Sequence, residues 1–516
     1  MLTKSVPDEI QDYLYDASYV HGGHADCVAL PENAEQVAEI LGAATRTRTP
    51  VTISGAGTGT VAGRVPFGGT VLATDKLDRI KSIVRDSAGG RAIVEAGVRL
   101  IDLQRAVESE GLMYPPDPTE RSCFLGGNVA TNASGARTFK YGPTRNYVTG
   151  LKLALATGEV IDLRRGELHA NGDGQISIPL PSGRVIHAQL PSYQMPQVRK
   201  HASGYFVTPG MDVIDLFIGS EGTLGVIVEI EVRLLPKPEG LLSGVVFFDS
   251  EDFLLAFVCE ARETSLANRL GSSNQGSNLL VSESAALDAR ALEYFDIESL
   301  RFLKQKYETI PINAIGAIFF EQETTTSTED SLMNDWLGLL ERHHALADES
   351  WFATNAADQA NLREFRHALP VLMNEWFARY RQRKVSTDMA VPDEAFAGML
   401  RFYQDALRGG DLRYTIFGHI GDNHVHVNIL PRNDYESSKA WEIYLKFIRR
   451  AVKVGGTISA EHGIGKLKRE YLRELYSEEH LREMAALKRP FDPAGILGRG
   501  NMFVEEMLLS SVVSSQ

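Results

Sequence analysis

The chain has 516 residues, more than one hydrophobic core usually organises, and 43% of them are apolar against 23% charged; that is globular, multi-domain composition and excludes a disordered chain or a coiled coil. With 53 Lys and Arg against 67 Asp and Glu the net charge is −14, which argues against a nucleic-acid partner. Three scattered cysteines exclude a disulfide framework and a CxxC metal site, and there is no signal-peptide core and no apolar run of about 18 residues, so a soluble protein of the cytoplasm without a membrane span is expected.

Short β-branched runs alternate with glycine turns as far as Pro236. VTIS (51–54), TVLAT (70–74) and IVEAGV (93–98) predict strands, and LIDLQRAVESEGL a helix that stops at Gly111. LKLALATGEVIDL (151–163) predicts a hairpin around Thr157-Gly158, and GVIVEIEVRLL (225–235) a long strand. Pro236-Lys237-Pro238 then marks a boundary, giving one part over 1–238 and another over 239–516. Beyond it, VVFF (245–248) and AIGAIFF (314–320) predict strands. Amphipathic stretches at about 251–268, 329–346, 357–379, 393–408, 434–454 and 466–488 predict helices. The fold class is α+β. Its second part is an antiparallel sheet covered by helices on one face, followed by a helical C-terminal segment.

Gly55-Ala56-Gly57-Thr58-Gly59-Thr60 follows the first of these strands, and such a run lets a pyrophosphate approach backbone N–H groups without Cβ interference. It loosely fits a dinucleotide fingerprint, with Asp75 or Asp78 about twenty residues on. Pro66, Gly68 and Gly69 interrupt the helix that the fingerprint requires, which argues against a nicotinamide-dependent dehydrogenase. A lone glycine loop is often a plain turn. Two more clusters, Gly126 to Gly135 and Gly219 to Gly225, suggest the walls of one cofactor site.

The motifs ISGAGTGTVAG, VEAGV, YPPDPT, GGNVATNASG, KYGPTRNYVTGLKLALATGEV and GSEGTLGVI occur in this order. In them the chain resembles the flavin-binding family typified by vanillyl-alcohol oxidase and p-cresol methylhydroxylase, within it the group of D-lactate dehydrogenase, glycolate oxidase catalytic subunit and D-2-hydroxyglutarate dehydrogenase. The resemblance covers about residues 20–505 and implies a two-part, PCMH-type FAD-binding domain followed by a substrate or cap domain. It implies that the loop from Gly55 to Thr60 binds the FAD pyrophosphate. Pro116, Asp117, Ser122, Gly126, Gly127, Asn128, Asn132, Ser134 and Gly135 would line the flavin cleft, and Glu221, Gly222 and Ile227 the adenine side. Relatives with covalent flavin attach it through a His or Cys that the loop lacks here, so non-covalent FAD is expected. Cys123 reads as a buried structural thiol.

Of thirteen histidines, His419, His424, His426 and His462 fall within residues 419–462. A two-residue turn at Asp422-Asn423 would place His419 directly opposite His426, close enough to share an ion. Glycine-flanked Glu461-His462 then offers a carboxylate, and two His with one carboxylate make a catalytic metal site with an open position. Any one of these histidines alone is more often a hydrogen-bonded core residue. The GHxGDxxxHxN and SAEHGIG signatures match the same family, whose metal ligands map to His419, His426 and Glu461 and whose general base maps to His462; zinc, manganese or iron is the expected ion. The family reads Gly-Asp-Gly-Asn where this chain has Gly421-Asp422-Asn423-His424, so His424 becomes a further ligand or a substrate contact.

Carboxylate recognition calls for a guanidinium, and the segment 361–370 resembles the family's arginine-bearing one, giving Arg366 first and Arg363 second. Asn428 is a further substrate contact, while Ser386 replaces a lysine of some relatives, and Gly498-Arg499-Gly500-Asn501 replaces a closing NPGK. The resemblance implies oxidation of a D-2-hydroxy acid with FAD as acceptor. No iron–sulfur or haem motif is present, so a quinone, an electron-transfer flavoprotein, a cytochrome or oxygen must take the electrons onward; an oligomer is compatible with the sequence. The rival readings are a flavoenzyme like alkyl-glycerone-phosphate synthase, with no net oxidation, and a non-catalytic flavin-binding subunit of a glycolate oxidase complex.

Overall fold

The computed structural model describes residues 2–273 and 286–509. Its first sheet holds Cys27–Leu30, Thr70–Ala73 and Val51–Ser54 in parallel, with Leu2–Lys4 antiparallel outside Cys27–Leu30. Helix Ala34–Thr47 makes the crossover; its N-terminal amides are capped by Asn33, which accepts from Gln36 N. Its Val37 and Leu41 pack with Val51, Leu72 and Ala154. Val51–Ser54 reaches Thr70–Ala73 through the glycine loop with no helix between, as Pro66, Gly68 and Gly69 require.

A second, antiparallel sheet runs Ile80–Asp86, Gly89–Glu95, Val226–Pro236, Val148–Ala154, Val160–Arg164. The hairpin around Thr157-Gly158 is in place, with Gly158 at φ +87. From Pro236 the chain enters a seven-stranded antiparallel sheet, in the order Trp351–Ala353, Gly240–Phe248, Gly316–Thr324, Ala289–Asp296, Tyr414–Gly418, His426–Ile429, Val385–Ser386.

Helices cover both faces of this sheet, not one. Val246, Phe248, Ile318 and Phe320 pack with Leu254, Phe257 and Trp336 on one side. Val245, Phe247, Ala317 and Phe319 pack with Leu300, Phe365 and Leu369 on the other. The apolar runs VVFF and AIFF carry that signal, since a strand buried on both faces loses its polar alternation.

The helix expected over 466–488 is likewise two pieces, Leu472–Leu475 and Glu478–Lys488. Tyr476 is extended, and Ser477 caps the second piece by accepting from His480 N. After helix Asp434–Lys453 the chain returns to the first half: Ala202 N donates to Ser459 O, Lys466 N to Val61 O and Val51 N to Ile496 O. Among the described residues, no helix is long and apolar enough to cross a membrane.

Candidate active site

The three glycine clusters meet in one cleft. Gly55 to Gly59 form one wall, Gly126, Gly127 and Asn128 another, and Glu221, Gly222 and Ile227 a third. A Cβ built on Gly59 or Gly127 meets nothing within 4 Å, so these glycines leave open the space a flat ligand needs. Gly57 and Gly222, at φ +80 and +70, need their conformational freedom outright. Beneath the loop lies Arg64, which donates to Gly55 O (2.7 Å), Ser54 Oγ (3.1 Å) and Tyr15 O (2.9 Å). With its third nitrogen on Asp12 O it braces the loop from below, and sequence reasoning passed over it although it directly follows the motif. Asn501, from the motif that departs from NPGK, also lines the cleft and donates to Gly63 O and Glu221 O. These residues fit a flavin dinucleotide.

Other expected cofactor residues lie outside this lining. Thr60 and Ser122 are exposed, and Pro116 is buried. Asp117 pairs with Arg137 at 3.3 Å, Asn132 accepts from Arg145 N, and Gly135 O accepts from Lys200 Nζ. Ser134 belongs to the histidine centre, where its Oγ donates to Glu461 Oε2 at 3.1 Å. Cys123 is buried beside the cleft, and burial pushes its thiol up to about 12.

The cleft reaches the histidine centre at His462. The hairpin there is wider than a two-residue turn: Phe417 pairs with His426, and a 3-10 turn over Ile420–Asp422 is closed by His424 N donating to His419 O. A type I′ turn needs two left-handed residues, and only Asn423 is left-handed, at φ +53. His419 is therefore not opposite His426, yet the rings still converge. Their Nε2 atoms lie 3.4 and 3.2 Å from Glu461 Oε1. Their Nδ1 atoms are anchored on Glu293 Oε1 (2.6 Å) and Thr387 O (3.0 Å), the outer-shell pattern of metal-ligating histidines. Buried Lys200 reaches from the first half to hold Glu461 Oε2 at 3.1 Å. Burial would raise the Glu461 carboxyl, but Lys200 and His419 hold it well below the usual range. The four side chains His419, His424, His426 and Glu461 bring ligand atoms within 4.8 Å of one another, so this donor set fits a divalent ion.

His462 follows on the same loop, its Nδ1 3.4 Å from Asp388 Oδ2. Burial lowers its imidazole to about 4, against the pull of Asp388 and Glu461, so it is neutral near pH 7. Glu221 fixes the loop by accepting from Ile464 N (2.7 Å) and Gly465 N (2.6 Å). Asn428 is buried, its Oδ1 without a hydrogen-bond partner. Arg366, on helix Ala356–Tyr380, donates through Nε to Glu293 Oε2 at 3.2 Å and so joins the shell of His419, whereas Arg363 is half-buried with no such link. Glu293 and Lys200 are absent from the sequence reading; a lone acid in the apolar run ALEYF was the available signal for Glu293.

A parallel-stranded entry sheet, a glycine-walled cleft and a histidine–carboxylate centre at its end are the parts of a cofactor-dependent enzyme. The sequence matches the FAD binding domain over residues 25–164 and the FAD linked oxidases, C-terminal domain, over 263–502. It is 30% identical to the glycolate oxidase subunit GlcD of Bacillus subtilis (strain 168), covering 96% of this chain and 92% of that one. With a D-lactate dehydrogenase of Anaerostipes hadrus the identity is 29%, over 96% and 94% of the two chains. Among solved structures, an alkyldihydroxyacetonephosphate synthase shares the fold at a TM-score of 0.65 and 14% identity, over 96% of this chain and 81% of that one. The chain belongs to the FAD-linked oxidase family and is an FAD-linked oxidoreductase.

Proposed function

We propose that the protein oxidises a D-2-hydroxy acid, of the D-lactate, D-2-hydroxyglutarate or glycolate kind, to the 2-oxo acid. In this reading residues 1–238 bind FAD non-covalently, residues 239–516 bind the substrate, and an external acceptor takes the electrons in the cytoplasm. The observation that carries it is the position of His462, which lines the glycine-walled cleft while its neighbour Glu461 meets His419 and His426.

Bound FAD supplies the two-electron acceptor, at N5 of its ring. An ion held by His419, His426 and Glu461 supplies Lewis-acid polarisation of the substrate hydroxyl. His462 receives the hydroxyl proton at Nε2, because Asp388 occupies its Nδ1 side. Arg366 provides the positive charge that a carboxylate needs, and the partnerless Oδ1 of Asn428 is an acceptor for a substrate donor.

The test is anaerobic mixing with a panel of D- and L-2-hydroxy acids, followed by flavin absorbance. One D-acid should bleach the flavin, and His462→Ala should slow bleaching about 10²–10⁴-fold while keeping FAD bound. Bleaching at the wild-type rate by that variant removes His462 as the base; no bleaching by any 2-hydroxy acid removes the reaction itself.

A further inference from the structure

His424 stands where the resemblance leads one to expect Asn, and nothing in the reaction described above uses it. It is fully buried, at 0% exposure, and neither of its ring nitrogens makes a hydrogen bond of good geometry. Leaving an imidazole nitrogen dry and unpaired costs about 1–3 kcal/mol, so a buried group in this state needs an explanation. Its Nε2 lies 3.1 Å from Asp388 Oδ1. His419 and His426 each have one nitrogen against an oxygen acceptor and the other turned to the common centre, and His424 brings a ligand atom within 4.8 Å of theirs.

The ring spacing agrees. An imidazole bound at about 2.1 Å has its ring centre about 3.2 Å from the ion, so three rings about 90–120° apart have centres about 4.5–5.5 Å from one another. The centres are 4.6 Å apart for His424–His426, 5.4 Å for His419–His424 and 5.6 Å for His419–His426.

We propose that His424 is a fourth protein ligand, making a centre of three imidazoles and one carboxylate for a six-coordinate divalent ion. The consequence concerns which ion can work. Four protein ligands close a tetrahedral zinc site and leave it no open position. A six-coordinate ion such as Mn²⁺ or Fe²⁺ keeps two, which suits the hydroxyl and one carboxylate oxygen of a 2-hydroxy acid. This selection rests on the reading of the site as a hydroxy-acid centre; the ligand count does not.

The test uses the full-length flavoprotein, stripped with a chelator and titrated with Mn²⁺. Pulsed electron paramagnetic resonance on the wild type should count three directly bound nitrogens, and His424→Asn should show two. Chelator competition should find Mn²⁺ bound about 10–100-fold more weakly by His424→Asn, with flavin absorbance and circular dichroism unchanged. His424→Gln serves if the first variant does not fold, and the nitrogen count of the wild type needs no variant. Two bound nitrogens in the wild type, with His424→Asn within twofold in affinity, overturns the fourth ligand but leaves the centre standing. A wild type that binds no Mn²⁺ overturns both, and His419→Ala should lose the ion wherever the wild type holds it.

Discussion

Asp388 joins the two jobs of the site through one carboxylate. Its Oδ1 faces His424 Nε2 and accepts from Glu461 N; its Oδ2 accepts from Ser459 Oγ and Lys468 Nζ, both at 2.6 Å, and from His462 N at 3.1 Å. Burial alone would raise this carboxyl, but His462 and Lys468 hold it well below the ordinary range. Asp388→Asn trades an acceptor edge for a donor edge against groups that are themselves donors, so the His462 ring loses its fixed orientation. Turnover should fall about 10²-fold with FAD content unchanged; a kcat within threefold of wild type would remove the orienting role. The residue types of the centre were legible in the sequence because His and Glu at these spacings have few other uses. The exact register was not, because Gly418 at φ +125 and the 3-10 turn absorb residues that no local pattern announces.

Element ends show what a cap can do when it is also buried. Asp296 opens helix Ile297–Leu303 and accepts from Ser299 N (2.8 Å), Ser299 Oγ (2.6 Å) and Ile416 N (3.0 Å), all at Oδ1. Burial raises its carboxyl to about 7, despite these bonds. With an unfolded value near 3.9, the native state holds this proton more tightly, so the contribution to stability is full below about pH 4 and is lost as pH rises through 7. Asp296→Asn keeps an acceptor at the same place and cannot ionise. It should therefore melt close to wild type at pH 4 and above it at pH 8, by up to about 1.4 kcal/mol per pH unit of the window. An equal difference in melting temperature at both pH values would refute this. Two strands of the seven-stranded sheet, Gly240–Phe248 and Gly316–Thr324, were readable as apolar runs, but Ala289–Asp296 escaped, since its ARALEYFD mixes charge with apolar residues while every position is buried.

At the scale of the molecule, the cleft is finished by the far end of the chain, and long-range returns of this kind leave no local mark in a sequence. The order of motifs points to one flavin site, but it gives no hint that Lys488 stands behind its wall. Lys488, on helix Glu478–Lys488, is 2% exposed; its Nζ donates to Thr223 O (2.7 Å), Leu497 O (2.9 Å) and Asp492 Oδ2 (2.6 Å). Thr223 adjoins cleft residue Gly222, and Leu497 bridges to Val51 on the strand before the glycine loop, so one ammonium ties the C-terminal segment to the back of one wall. Lys488→Met keeps the volume but strands Asp492 as a buried charge and frees two carbonyls, which should cost about 3–5 kcal/mol and loosen FAD. Adding Asp492→Asn removes the stranded charge while an oxygen remains for Ile496 N, so the double variant should regain part of the stability. Melting curves with and without excess FAD measure both effects, because a ligand that binds only the folded state raises the midpoint by mass action. A single variant that melts with wild type and releases FAD no faster would show that the return of the chain is held by apolar packing alone.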